Sequence, residues 1–358
     1  MGGLAPYDAI LVASYGGPEG PDDVLPFMRN ATGGRGIPDE RLLEVSGHYQ
    51  RFGGRSPINE RNAELMDALG AELRHRGIDV PIVIGNRNWH PFFTETLRDL
   101  DASGAKRVLV LITAAYKSYS SCRQYRENLA AALDELDSPI SIDRVGPYAE
   151  TEGFVRATIA NVEDALGLFG DEVRPGVRVL FVTHSIPTAM NEGTDPDPDG
   201  SYAAQHQRVA ERVVAGLTPR LGFEPRWEIA YCSRSGAPHI PWLEPDVNDR
   251  LEELAADGVR EVITVPFGFV NDHMEVVYDL DTEAKATADG LGLHYVRAAT
   301  VGTHPAFIAE LADRVEQRAA IARGEVPFDA ADHLLCPPDH CLSRPGAPTL
   351  PAVCEDDR

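Results

Sequence analysis

No apolar run in the 358-residue chain is long enough to cross a bilayer. The first ten residues, MGGLAPYDAI, contain neither a basic stretch nor an apolar core, so no secretory leader is expected and the expected location is the cytoplasm. Positive charge is scarce. With 33 Lys and Arg against 56 Asp and Glu, the formal charge is −23, which argues against nucleic acid or an anionic lipid surface as partner and leaves room for a cation. Five cysteines in so long a chain make no disulfide framework. Neither G-x-G-x-x-G nor G-x-x-x-x-G-K-[ST] occurs, so the loops that cradle dinucleotide or nucleoside triphosphate phosphates are missing. Metalloprotease and zinc-finger spacings are missing too.

What is present is a globular composition, 43% hydrophobic and 25% charged, in a length that suggests two or three domains. Short β-branched runs alternate with segments of helical period from end to end. Strands are expected over Tyr7–Gly17, Val80–Gly85, Arg107–Ala114, Ile140–Val145, Val177–Val182, Trp227–Cys232, Glu261–Val270 and Leu293–Ala298. Alternation of this kind predicts an α/β fold with parallel, doubly wound sheets. Two similar halves are expected: residues 1–114 joined by a last helix at about 300–323, and residues 115–299. A Pro- and Cys-containing tail, 324–358, follows.

In such folds ligands sit beyond the carboxyl ends of strands. The run VRVLFVTHSIP delivers His184 to such an end, where Pro187 stops further pairing. The run EVITVPFGFVNDHME delivers Glu275 in the same way, with Asp272 and His273 beside it. The two are expected to face each other across one cleft, as imidazole and carboxylate donors for a divalent ion. The plainer reading is a satisfied core histidine and a helix N-terminal glutamate. Glu275, Asp279 and Glu283 recur at i, i+4 and i+8, which is either a path for a cation or protons or a solvated acidic face. Other strand ends carry Ser14-Tyr15, the polar-aromatic Asn86-Arg87-Asn88-Trp89-His90, and the hydroxyl- and cation-rich Tyr116–Tyr125. Ser56-Pro57 reads as a helix start, with Ser56 either its cap or a ligand for a carboxylate. Arg35 lies in a Gly-rich loop as a cation near the expected cleft mouth.

The segments SYGGP (Ser14–Pro18), GGRSP (Gly53–Pro57), THSIP (Thr183–Pro187), PWLEPDV (Pro241–Val247) and GFVNDHMEVVYDLDTEA (Gly268–Ala284) resemble the ferrochelatase family, over nearly the whole chain up to about Arg323. Tyr15, NRNWHPF (Asn86–Phe92) and SSCRQYREN (Ser120–Asn128) resemble the branch that acts on coproporphyrin III in Gram-positive bacteria and actinobacteria. Some relatives carry Arg just before the tyrosine at Tyr49, where this chain has His48.

The resemblance implies two Rossmann-like domains of the class II chelatase kind enclosing a tetrapyrrole. It also implies an iron site of His184 and Glu275, with Tyr15 over the macrocycle and Ser56, Tyr125, Tyr49 and Arg35 holding the porphyrin. The implied activity is insertion of ferrous iron into coproporphyrin III by a monomer with no organic cofactor. The alternatives are a protoporphyrin IX or other divalent-metal chelatase and a non-catalytic tetrapyrrole-binding protein. Many relatives bind a [2Fe–2S] cluster through C-terminal cysteines and one internal cysteine, a ligand set of four. Here the tail offers Cys336, Cys341 and Cys354, and the internal position near Thr158 holds no cysteine. Cys122 is a fourth ligand only if the tail folds back, and His333 or His340 are substitutes. The tail is therefore expected to be either disordered, with inert thiols, or the holder of a labile cluster that catalysis does not need.

Overall fold

The computed structural model describes residues 3–33, 38–329 and 333–355, so Arg35 lies outside the described residues. Strand β1 (Ala9–Ser14) is buried along its whole length, as expected of an apolar run covered on both faces. Helices α1 (Val24–Ala31), α2 (Asp39–Gln50) and α3 (Ile58–His75) follow, then β2 (Ile82–Asn86), α4 (Phe93–Ala102) and β3 (Arg107–Ile112). A π-turn over Tyr119–Arg123 leads into α5 (Gln124–Leu136), β4 (Ser141–Arg144) and α6 (Glu152–Leu166). The second half comprises β5 (Arg178–His184), α7 (Thr188–Glu192), α8 (Tyr202–Leu221), β6 (Arg226–Cys232), α9 (Val247–Ala256), β7 (Glu261–Val265), α10 (Met274–Tyr278), α11 (Lys285–Leu291) and β8 (His294–Arg297), and α12 (Pro305–Ala322) closes the helical part.

The strands form two four-stranded parallel sheets with one topology, β2-β1-β3-β4 and β6-β5-β7-β8. Each sheet reverses its order beside its first strand, between β1 and β3 and between β5 and β7, which is where a doubly wound sheet opens a crevice at its carboxyl edge. Alternate side chains enter different cores. Leu109 and Leu111 join Val179 and Phe181 in a shared core with α3, α6, α8 and α12, whereas Val108 and Val110 pack outward on Leu97 and Leu129. Leu180 and Val182 turn to a third core with Leu251 and Leu254.

Three boundaries differ from the sequence reading. Because β4 pairs with β3, the first sheet runs to Arg144, and the expected division at Ala114 cuts through it. β7 ends at Val265 because Pro266 has no N–H for the ladder. The helix expected to run on from Met274 is interrupted by a π-turn over Asp279–Ala284. Helix α12 lies beside the first sheet: Arg76 bonds its Asp313 (2.5 Å) and Glu316 (3.0 Å), and its Arg318 pairs with Asp143 of β4.

The tail, although irregular, is packed. Its Leu334, Cys336, Cys341 and Leu342 are buried. Three fully buried arginines of the first half hold it. Arg123 donates to the carbonyls of Pro338 (2.8 Å), His340 and Leu350 and to Glu355. Arg126 donates to Val353 and Cys354, and Arg144 to His333 and Leu334. On its other side the tail joins the second half, where Cys341 N donates to Thr194 O (2.8 Å) and Leu342 N to Gly193 O (2.7 Å). Truncation after Arg323 strips all three guanidiniums of these acceptors. A loss of at least about 3 kcal/mol is expected, the scale of breaking a buried charged contact. A urea midpoint for the truncated chain equal to that of the full chain would show the tail to be an ornament.

Candidate active site

β1 and β5 hold the same place in the two sheets, so their carboxyl ends are counterparts: Ser14-Tyr15 in one, His184 in the other. A buried polar chain ties the two edges together. Asn62 of α3 donates to Ser14 Oγ (2.8 Å), and Asn271, after β7, donates to Asn62 Oδ1 (3.0 Å). Gly268 allows the β7 loop to lie against β5, since a Cβ there would stand 2.0 Å from Thr183 Oγ1. The loop that follows brings Glu275, at the start of α10, to His184, with Nε2 and Oε2 3.7 Å apart. His273 Nδ1 accepts from the Glu275 N–H (3.2 Å) and lies 3.8 Å from its carboxylate.

The backbone behind His184 is fixed by a buried hydroxyl network. Thr183 Oγ1 is 2.7 Å from Tyr202 Oη and 2.9 Å from His206 Nε2, and Tyr202 donates to the His184 carbonyl (3.2 Å). Burial lowers the pKa of His206 to about 3, so its imidazole is neutral. The facing Cys232 of β6 is buried, which holds its thiol well above the ordinary value.

The charges follow from this packing. Burial works against an imidazolium at His184, but the Glu275 carboxylate, helped by the Ser185 carbonyl, lifts the group to about 9. Burial would likewise raise Glu275, and His184 overrides it, holding the carboxyl at about 2. Both side chains still reach solvent through the cleft, 31% and 46% exposed. Asp279 lies one turn on, bonded by the Ser233 hydroxyl; burial outweighs that bond and, with the charge of Glu275, lifts it to about 7. Glu283 adds to the field on Asp279 and acts on His48 and Tyr278. The expected row of carboxylates is thus a group of mutually interacting side chains.

Tyr49 lies within the fields of Glu275 and Tyr15, and burial, with Glu275 adding its charge, keeps its phenol well above the ordinary value. His48 stacks on Tyr278 of α10 (3.7 Å between centroids, 9° between planes), so α2 reaches across the cleft. Ser56 packs under Gly17, where a Cβ would meet the Ser56 Cβ at 2.6 Å; its Oγ is 3.5 Å from the Ile58 N–H. Tyr125 is buried beneath Arg87, whose guanidinium lies 4.8 Å from the Tyr125 ring and 5.7 Å from that of Tyr15.

Arg87 and Ser233 had no individual role in the sequence reading, although both stand at strand ends. Ser233 also adopts φ +62, a left-handed conformation that non-glycine residues rarely hold. Tyr116, Lys117, Ser121 and Arg123 had been expected to offer donors to the cleft. Instead Tyr116 stacks on His206, Lys117 is buried with Asp195 and His333, Ser121 bonds the Tyr116 carbonyl, and Arg123 holds the tail. A cavity of about 260 Å³ lies nearby between α3 and the end of β2, lined by Asn59, Met66, Asn86 and Glu19; it includes neither His184 nor Glu275.

A second cluster lies where the tail meets β4. Arg144 donates to Cys122 Sγ (2.9 Å) and Cys336 Sγ (2.8 Å). A hydrogen bond from Cys341, against the opposing effect of burial and with the Arg144 charge in support, holds the Cys122 thiol well below its ordinary value, and the same bond pushes Cys341 up. Cys354 bonds the Ile142 carbonyl (3.4 Å), and burial raises its thiol to about 11. The tail has therefore folded back to Cys122, and Cys336, Cys341 and Cys354 all lie in the field of Arg144 or of each other. Among the described residues no three His, Cys, Asp or Glu side chains already form a metal cage.

The chain resembles known proteins at two levels. The solved structures of the sirohydrochlorin chelatase SirB of Bacillus subtilis, with Fe3+ and with cobalt, superpose with TM-scores of 0.53 and 0.51 at 16% and 15% identity, over 92% of this chain and all of theirs, which speaks to the fold. In sequence, the coproporphyrin III ferrochelatase of Streptomyces coelicolor is 49% identical over 96% of both chains. That of Propionibacterium freudenreichii is 44% identical over 99% of this chain and 100% of its own. The profile of the ferrochelatase family matches residues 7–319, and with sheets, cleft and facing strand ends arranged as described, the chain belongs to the ferrochelatase family.

Proposed function

We propose that the protein inserts ferrous iron into coproporphyrin III, acting as a cytoplasmic monomer. The observation that carries the reading is the His184–Glu275 pair. Its donor atoms, 3.7 Å apart, stand at a spacing a single divalent ion can span, given metal–ligand distances of about 2.1 Å. The names of the relatives support the porphyrin, and the absence, among the described residues, of a helix able to cross a membrane agrees with the location.

Insertion replaces two pyrrole N–H protons with one divalent ion, so the site must take up protons as well as metal. His184 gives up its own proton before it ligates iron or accepts one from a pyrrole, and Glu275 is already ionised. Asp279, near 7, then passes protons outward, with Glu283 next in line. Tyr15 lies over the macrocycle, and Tyr49, Ser56 and Tyr125 hold the periphery. Arg87 joins them: it is half-buried between two tyrosine rings, and among the described residues no carboxylate pairs with it. A propionate supplies that charge, through charge-assisted hydrogen bonds of roughly 1.5–3 kcal/mol each. Holding the rim allows binding energy to distort the ring and expose its nitrogen lone pairs.

A [2Fe–2S] cluster is proposed as a resident group at the second cluster, held by Cys122, Cys336, Cys341 and Cys354. The donor chemistry fits. Arg144 bonds Cys122 and Cys336, Cys341 bonds Cys122, and Cys354 lies in the field of Arg144; among the described residues Arg144 has no carboxylate partner and Arg126 Nη1 is buried without a partner. Such a cluster supplies one-electron chemistry when bound.

His184→Ala and Glu275→Gln are each expected to lower iron insertion by at least about 100-fold, the usual scale for a lost general base, while porphyrin still binds. The readout is anaerobic absorbance for turnover and fluorescence quenching for binding, and turnover near wild type in either variant removes the metal assignment. Between pH 6 and 8, kcat/KM for iron should climb with pH, because His184 holds a proton up to about 9 that the metal must displace. Asp279→Asn should slow turnover and remove any inflection near pH 7, and an unaltered profile would take Asp279 out of the proton path. The substrate is tested by comparing coproporphyrin III with protoporphyrin IX. A higher kcat/KM for the tetracarboxylate ring is expected, with Arg87→Met raising its KM by about 10-fold or more; preference for the dicarboxylate ring would reverse the assignment.

A further inference from the structure

Among the three buried arginines that hold the tail, the balance of charge is unequal. Arg123 is neutralised by Glu127 (2.8 Å) and Glu355 (3.0 Å). Arg126 meets the carbonyls of Val353 (2.7 Å) and Cys354 (2.9 Å), and its remaining nitrogen has no partner. Arg144, the last residue of β4, meets the carbonyls of His333 and Leu334 and the sulfurs of Cys122 and Cys336. Among the described residues neither Arg126 nor Arg144 has a carboxylate partner. Two fully buried cations held by carbonyls and thiols, with no carboxylate among the described residues, are costly, at several kcal/mol per ion. An anionic group between them offsets that cost, and the sulfurs are the groups in place.

We infer that Arg144, supported by Arg126, is the positioning and counter-charge residue of the four-cysteine site, its guanidinium fork fixing two of the ligand sulfurs and its charge offsetting an anionic cluster. The inference rests on the cluster reading proposed above. An oxidised [2Fe–2S] centre with two ferric ions, two sulfides and four thiolates is formally a dianion, which matches the two unpaired guanidiniums. Hydrogen bonds to cluster sulfurs and nearby positive charge favour the reduced, more negative state, so Arg144 raises the reduction potential. The same guanidinium binds the tail backbone at residues 333 and 334, so cluster and docked tail are held by one side chain.

The test uses the full-length chain, purified anaerobically, as wild type, Arg144→Met, Arg144→Lys and Arg126→Met. Iron, acid-labile sulfide and visible absorption report the cluster, a dithionite titration reports its midpoint potential, and limited proteolysis reports tail docking. Wild type should hold stoichiometric cluster with a protected tail. Arg144→Met should lose most of the cluster or hold it at a lower potential, with cleavage of the tail at least several-fold faster. Arg144→Lys, which keeps the charge without the fork, should fall between. If Arg144→Met does not fold, the comparison of Arg144→Lys with Arg126→Met decides. A variant series with full cluster, unchanged potential and a protected tail overturns the inference and leaves the cluster reading standing. A wild-type chain that holds zinc alone, or no metal, overturns both.

Discussion

The arrangement depends on one buried contact between amides. Asn62 leaves α3 toward the end of β1, and Asn271 comes from the loop after β7, so their hydrogen bond joins the carboxyl edge of one sheet to that of the other. Both side chains are buried, where an amide without a partner is costly, so the two edges are held at one separation. That separation fixes how far Tyr15 and Ser56 stand from His184 and Glu275.

Within the cleft, the two half-buried carboxyl groups are accommodated by different means. Glu275 stays ionised because His184 is cationic beside it, and Asp279, with only the Ser233 hydroxyl, is lifted until it is half protonated near neutrality. Two carboxyls one helical turn apart thus shift in opposite directions from their ordinary values.

Much of this was legible in the sequence, and what was not has physical causes. Runs such as AILVAS and RVLFVTH announce themselves because a parallel strand covered on both faces has no polar alternation. His184 and Glu275 were readable because Pro187 and the Asn-Asp-His run mark where each segment stops being regular. β4, SIDR, is short, polar and at a sheet edge, so nothing local assigns it to the first sheet. The π-turn at Asp279–Ala284 differs from an α-helix by less than one residue per turn, below what side-chain spacing resolves. Residue type also fails to give direction. Arg123 and Lys117 look like cleft cations in the sequence, yet they face the tail and Asp195, which are distant along the chain.

The placement of the tail has a consequence for how the chain is made. Arg144 completes the first sheet, but its acceptors are residues 333, 334 and 336, and those of Arg126 are residues 353 and 354. Domains emerging from the ribosome ordinarily close from the amino end. This first half cannot close so early: Arg126 and Arg144 lack these acceptors until residues 333–354 have been made. The amino-terminal half therefore completes its contacts only after a segment more than 200 residues further along the chain has been made, and a ribosome that stalls before that segment leaves an unfinished beginning.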